Sequence, residues 1–230
     1  LVKVGSAQDP PDKAGLANLT ASLLDEGTLT RTSRQIAEQI DFVGGSLEAH
    51  AAEDFTTAST RVLKKDADLG FALLADMLQH PAFHKQEFER VRTQILGEIV
   101  SDDDDPGNVA MKAFHQLIFH GHPYSWPAHG TEETLNKITV ADIQQFHARE
   151  YLPNQTILVI VGDLTQDQAA ALVQTHFESR KKGPPSPYQI KKPASIERKM
   201  VQLIEKDLTQ STIVLGHTGI SRTNPDYYAV

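Results

Sequence analysis

Asn18, Ala21 and Ser22 stand at positions i, i+3 and i+4 of a segment whose leucines, Leu16, Leu19, Leu23 and Leu24, recur at helical spacing. Three side chains so spaced project from one face of a helix, where a metal-binding helix places its ligands. These residue types do not supply that chemistry: asparagine and serine are not usual zinc ligands, and alanine cannot take a proton. Two histidine groupings also invite a metal reading, His80 and His84 with Glu87, and His115 with His120-Gly121-His122. Pro81 keeps the first pair off a regular helix, and a glycine in a loop separates the second, so surface or capping roles are predicted for both. Asp102 to Asp105 lacks the alternating oxygens and central glycine of a calcium loop and is predicted to be a solvated helix end. Neither a G-x-S-x-G elbow nor a phosphate-binding glycine loop is present, and the absence of cysteine removes disulfides, thiolate zinc sites and cysteine nucleophiles.

The balance of 30 acidic against 22 basic residues, a net charge of −8, argues against a general nucleic-acid binder. The densest positive charge, Arg180 to Lys182 with Lys191 and Lys192, falls in a proline-rich linker. Hydrophobic residues make up 40% of the chain, enough for a sizeable core, yet no apolar run approaches the roughly 18 residues of a membrane span.

The pattern predicts a strand over Leu1 to Val4, entered as if in mid-strand, which reads as a fragment or processed product. After the Asp9-Pro10-Pro11-Asp12 loop, Asp12 is the expected N-cap of the helix carrying Asn18, Ala21 and Ser22, and Gly27 its stop. Ser33 is expected to cap a second helix that buries Ile36, Ile40 and Val43 and closes at Gly44-Gly45. Ser46 to Ala52 and Phe55 to Leu63 form an antiparallel pair turning at Glu53-Asp54. Helices follow from Asp66 to Leu78, and from about His84 with Phe88, Val91, Ile95 and Ile99 as the inner stripe. Pro106 opens another, burying Val109, Phe114, Leu117 and Ile118 up to Gly121. Further helices are expected over Glu132 to Lys137, Val140 to Tyr151 and Gln166 to Phe177, with a buried central strand over Ile157 to Val161. Beyond the linker, strand patterning resumes over Lys199 to Glu205 and Thr212 to Leu215.

The frame Gly15-Leu16-Ala17-x-Leu19-x-x-x-Leu23-Leu24-x-Glu26-Gly27-Thr28 resembles the opening of the insulinase/pitrilysin family of zinc peptidases. So does the turn-rich loop His122-Pro123-Tyr124-Ser125-Trp126-Pro127 with Gly130-Thr131. The resemblance covers essentially the whole chain. Active members carry H-x-x-E-H on that first helix, two zinc ligands and a base. The corresponding slots here are Asn18, Ala21 and Ser22, so the frame is kept without its chemistry. A third ligand, a glutamate on a later helix, corresponds in spacing to Glu98, whereas Val91 stands where a supporting glutamate would be. Glu98 shares the stripe of Val91 and Ile95, and the expectation is a carboxylate hydrogen-bonded to Asn18, Ser22 or the backbone. The family's peptide-binding edge strand falls on the segment of Ala49 and Ala51, which also reads as an ordinary sheet strand.

The resemblance implies an α+β fold, a mixed and mostly antiparallel sheet with helices packed on one face, as in processing-peptidase-like metallohydrolases. It divides the chain into an N-terminal domain over 1–180 lacking its first strand, a linker over 181–197, and the start of a second homologous domain over 198–230, with Asp226 to Val230 opening its first helix. The function implied is that of a non-catalytic subunit in a hetero-oligomer. This chain would hold no cofactor, its zinc-bearing partner would hold zinc, and the two would share a peptide substrate. Bacterial relatives of this shape are often exported, so the analogy points to the periplasm. A scaffold without a part in proteolysis, and an active peptidase with substituted ligands, are the other readings.

Overall fold

The computed structural model describes residues 1–177, 182–184, 190 and 192–230. Its first helix, α1 (Leu16–Ala21), is shorter than its leucine pattern. From Ser22 the chain tightens into three-residue turns, with Leu23 N on Thr20 O and Leu24 N on Ala21 O, both at 3.2 Å. Leu16, Leu19, Leu23 and Leu24 are all buried. The leucine spacing therefore reports a buried face that a tightening turn satisfies as well as a helix does.

The second helix, α2 (Ser33–Phe42), buries Ile36 and Ile40. Its cap is Thr32 rather than Ser33: Thr32 Oγ1 accepts from Gln35 N at 3.2 Å, and Gln35 Oε1 accepts from Thr32 N at 2.9 Å. Such a reciprocal box satisfies two orphan amides at once. Ser33 donates its hydroxyl to Glu26 instead, at 3.0 Å.

Strands β1 (Ser46–Ala51) and β2 (Thr56–Arg61) pair antiparallel, Ala49 opposite Ala58 and Ala51 opposite Thr56. This register turns Leu47, Ala49, Ala51 and Ala58 toward the core, against which they pack, and leaves Glu48 and Ser59 exposed. Helices thus cover one face of the sheet. Leu1 to Lys3 forms no full strand, but Val2 bridges β2 at Thr56 on one side and Thr156 on the other, both antiparallel.

The helical layer follows as α3 (Ala67–Gln79), α4 (Lys85–Asp104), α5 (Pro106–Ile118), α6 (Glu132–Leu135), α7 (Val140–Glu150) and α8 (Gln166–Phe177). Phe88, Val91 and Ile95 of α4 join Leu16, Leu19 and Leu23, with Ile143 and Phe146 of α7, in one core. No residue of α5 is fully buried, so its expected inner stripe is only half covered. No described helix is long and apolar enough to cross a membrane.

Four further expected elements do not form. Ile157 exchanges two main-chain hydrogen bonds with Leu1, at 2.8 and 2.9 Å, but Leu158 to Val161 enter no strand, and Val159 and Val161 are 71% and 92% exposed. Lys199 to Glu205 and Thr212 to Leu215 likewise carry no regular structure. The physical reason is common to these three segments: a strand needs a partner ladder, and none is present for them among the described residues. Asp226 to Val230 is a turn, closed by Ala229 N on Asp226 O at 2.9 Å, rather than a helix. The boundary at Arg180 and part of the linker lie outside the described residues.

Behind α1, the loop of residues 28–31 is tied to α3 by a single carboxylate. Asp76 Oδ2 accepts from Thr28 Oγ1 and Thr30 Oγ1, each at 2.7 Å, and from Arg31 Nη1 at 2.6 Å. Burial pushes the Asp76 carboxyl up, but these three donors outweigh it and hold it below its ordinary value.

Two stability tests follow from this packing. Leu19→Ala, at a side chain with no exposed surface, is expected to cost about 2–5 kcal/mol in urea unfolding. Asp76→Asn is expected to cost on the order of 1–3 kcal/mol at neutral pH. Because the folded carboxyl is lowered, its contribution is present above the unfolded value of about 4 and lost as pH falls through the folded one. The wild-type advantage over Asp76→Asn should therefore shrink in acid, and an advantage independent of pH would contradict the carboxylate's role.

Candidate functional site

The start of α1 is fixed from two directions. Asp9, not Asp12, caps it: Oδ2 accepts from Gly15 N at 2.8 Å and Oδ1 from Ala17 N at 2.9 Å. Asp12 sits on an exposed 3-10 turn, Pro11–Lys13, while Asp9 is 3% exposed. The cap reaches over the two prolines, a span that a search for an adjacent capping residue passes over. Burial pushes the Asp9 carboxyl up to about 7, against the pull of the Ala17, Gly15 and Leu16 backbone.

The second constraint is steric. Gly15 has φ +97°, and a Cβ there would meet His129 O at 2.6 Å; Gly130 has φ +79°, and a Cβ there would meet Ala14 O at 2.2 Å. The chain before α1 and the loop before α6 therefore cross main chain against main chain. Thr134 Oγ1 of α6 donates to Ala14 O at 2.8 Å and closes the crossing.

On the helix so seated, Ala21 is fully buried, while Asn18 and Ser22 are half-buried. Ser22 is the C-cap residue and keeps right-handed helical backbone, its N–H on Asn18 O at 2.9 Å, so the three positions retain one helical face. None of the three carries a group that ionises near neutral pH.

Glu98 departs from its expected surroundings. It is exposed on α4, and its carboxylate accepts from Gln94 Nε2 at 3.1 Å on the same helix, with no hydrogen bond to Asn18 or Ser22. Val91 and Ile95 turn into the core; Glu98, seven residues on, returns to within about 20° of Val91, but there the helix stands clear of the core, with Gly97 and Val100 also exposed. Val91 is 4% exposed, an aliphatic side chain packed where the resemblance places a supporting carboxylate.

The histidines named from the sequence stay apart. His80 lies 3.4 Å from Asp76 beyond the end of α3, and His122 Nδ1 accepts from Tyr124 N at 3.2 Å as the cap of the Pro123–Ser125 turn. Among the described residues, no three His, Asp or Glu side chains converge as a metal site.

Beside α1 runs β1. β2 occupies one of its edges, and no described strand pairs with the other. Ala49 and Ala51 lie on β1 with their small side chains turned toward α1 and the core. The chain's chemistry-bearing frame is thus a short buried helix next to an open strand edge.

This arrangement has relatives. The family model described as Insulinase (Peptidase family M16) matches residues 1–132, and the Peptidase M16 inactive domain matches residues 137–230. An uncharacterized zinc protease of Mycobacterium leprae is 35% identical over 179 residues, 78% of this chain and 40% of that protein. One of Rickettsia bellii is 29% identical over 224 residues, 97% of this chain and 53% of its own length. The crystal structure of a peptidase M16 inactive domain from Pseudomonas fluorescens superposes with a TM-score of 0.78 at 27% identity, covering 84% of this chain and 47% of that one. The chain thus spans about half the length of the relatives it matches. With the first family model covering more than half of its residues, the chain belongs to the insulinase family of peptidases, family M16.

Proposed function

We propose that this chain is the non-catalytic subunit of an insulinase-family zinc peptidase, completing the chamber and the substrate-holding surface of a zinc-bearing partner. One observation carries the reading: α1, the helix that the resemblance assigns to the family's zinc ligands, is capped and largely buried, and at the three implied positions it carries Asn18, Ala21 and Ser22. A peptidase of this kind needs a metal-activated water and a base, and alanine at the base position supplies no proton acceptor. The match to the M16 inactive domain supports a role in a two-part peptidase.

The open edge of β1 is the surface on which a shared peptide would lie. An extended peptide adds to such an edge through main-chain hydrogen bonds, and small residues such as Ala49 and Ala51 leave the strand unobstructed. Zinc would reside in the partner, and this chain would bind peptide without cleaving it.

The test is zinc content and peptide cleavage of the full-length chain, alone and mixed with a zinc-bearing insulinase-family chain from the same organism. The expected result is no stoichiometric zinc and no cleavage alone, with a faster partner on mixing. Stoichiometric zinc and cleavage by this chain alone overturn the reading, and a partner rate unchanged on mixing leaves a scaffold.

A reconstruction tests the site itself. Asn18→His with Ser22→His, keeping Glu98, is expected to tighten zinc binding by roughly tenfold or more over wild type in calorimetric titration. Adding Glu98→Ala should remove the gain. An unchanged affinity in the double variant would place Glu98 out of reach of α1.

A further inference from the structure

We propose that Asp9 is a proton-sensitive positioning residue, a latch joining the end of β1 to the start of α1 whose grip on the helix depends on whether its carboxyl is ionised. The short segment that carries it is tied at both ends. Ser6 N donates to Ala52 O and Ala7 N to Glu53 O, each at 2.9 Å, which fastens the segment to the turn after β1. Asp9 then accepts from Gly15 and Ala17, which fastens it to α1. The helix has no other side-chain cap, so this carboxyl is what holds its first amides.

Three features make the grip depend on a proton. Asp9 is almost fully buried, so its ionised form is poorly solvated. Among the described residues it has no cationic partner, and the hydrogen bonds it accepts come from backbone N–H groups. Third, Tyr151, 1% exposed and within electrostatic reach of Asp9, is a phenol whose own ionisation burial opposes, so it brings no positive charge to the carboxyl. Among the described residues, then, no cation pairs with the carboxylate to fix it as an anion.

The other titratable groups on the surrounding elements are engaged elsewhere or sit on loops. Lys13 and Asp142 pair with each other at 2.5 Å. Glu150 binds Arg149 at 2.6 Å, and Asp54 accepts from Tyr124 at 2.6 Å. His147 Nε2 lies 3.0 Å from Leu78 O, while Glu53 is exposed and His122 and His129 lie between α5 and α6.

The sign follows from the carboxyl's position at about 7. Below that pH the folded chain keeps a proton on Asp9, and the two N–H bonds go to a neutral acceptor. Above it they become charge-assisted and stronger. These stronger bonds do not offset the desolvation of the anion, so relative to a released, solvated carboxyl the latch is fully present below the free value of about 4 and weakens as pH rises through about 7.

The test is an NMR titration of the full chain from pH 5 to 9, following the amide resonances of Gly15 and Ala17. Both are expected to shift downfield together with one shared midpoint near 7. Asp9→Asn, whose amide cannot ionise, should lose that inflection, and Asp9→Glu should retain one. Absence of a shared inflection in the wild type overturns the proposal without need of any variant. An inflection that persists in Asp9→Asn also overturns it, because the titrating group would then be another. No partner or substrate enters the measurement, so its outcome is separate from that of the subunit reading.

Discussion

A buried carboxylate reaching across two prolines to the first amides of a six-residue helix is the contact on which this fold turns. So short a helix has too few internal hydrogen bonds to persist on its own, and its position must come from what surrounds it. Asp9 supplies the polar half of that constraint, satisfying amides that no intrahelical partner could reach. The leucines supply the apolar half. Leu16, Leu19, Leu23 and Leu24 connect the helix to the inner stripe of α4 and to α7, so both long helices are arranged around it.

The fold was legible where the physics is local. The two alternating segments around Glu53-Asp54 gave β1 and β2 because small and β-branched residues fit a pleated surface and the register follows from their alternation. The stripe of α4 and the proline opening α5 were legible for the same reason. Capping was harder. The Thr32 box with Gln35 was present in the sequence, but an adjacent serine competed for the assignment, and Asp9 stands too far from Gly15 to be seen as a cap without the intervening turn. The apolar run Ile157 to Val161 failed differently: its composition specifies two covered faces but not the strands that would cover them.

The site was legible as a set of positions and less so as a set of surroundings. Spacing alone put Asn18, Ala21 and Ser22 on one face, and the structure keeps them there. Spacing also placed Glu98 near Val91 and Ile95, and a heptad drifts only about 20° on a helix. Toward its C-terminus, however, α4 runs beyond what packs over it, and Glu98 faces water beside Gln94. Whether a carboxylate three residues beyond a core position is buried depends on what packs over it, which only the tertiary arrangement decides.

The crossing at Gly15 and Gly130 sets main chain against main chain, with the Thr134 hydroxyl closing it from outside α1. Its geometry is therefore indifferent to what the helix carries further along. A segment seated by backbone atoms and by an acceptor outside itself can exchange the residues on its working face without losing its seat. Under the subunit reading proposed above, Asn18, Ala21 and Ser22 are such an exchange on a frame that stands. The fold separates the placing of a functional helix from its content, so that reactivity becomes an interchangeable attribute of a fixed mount.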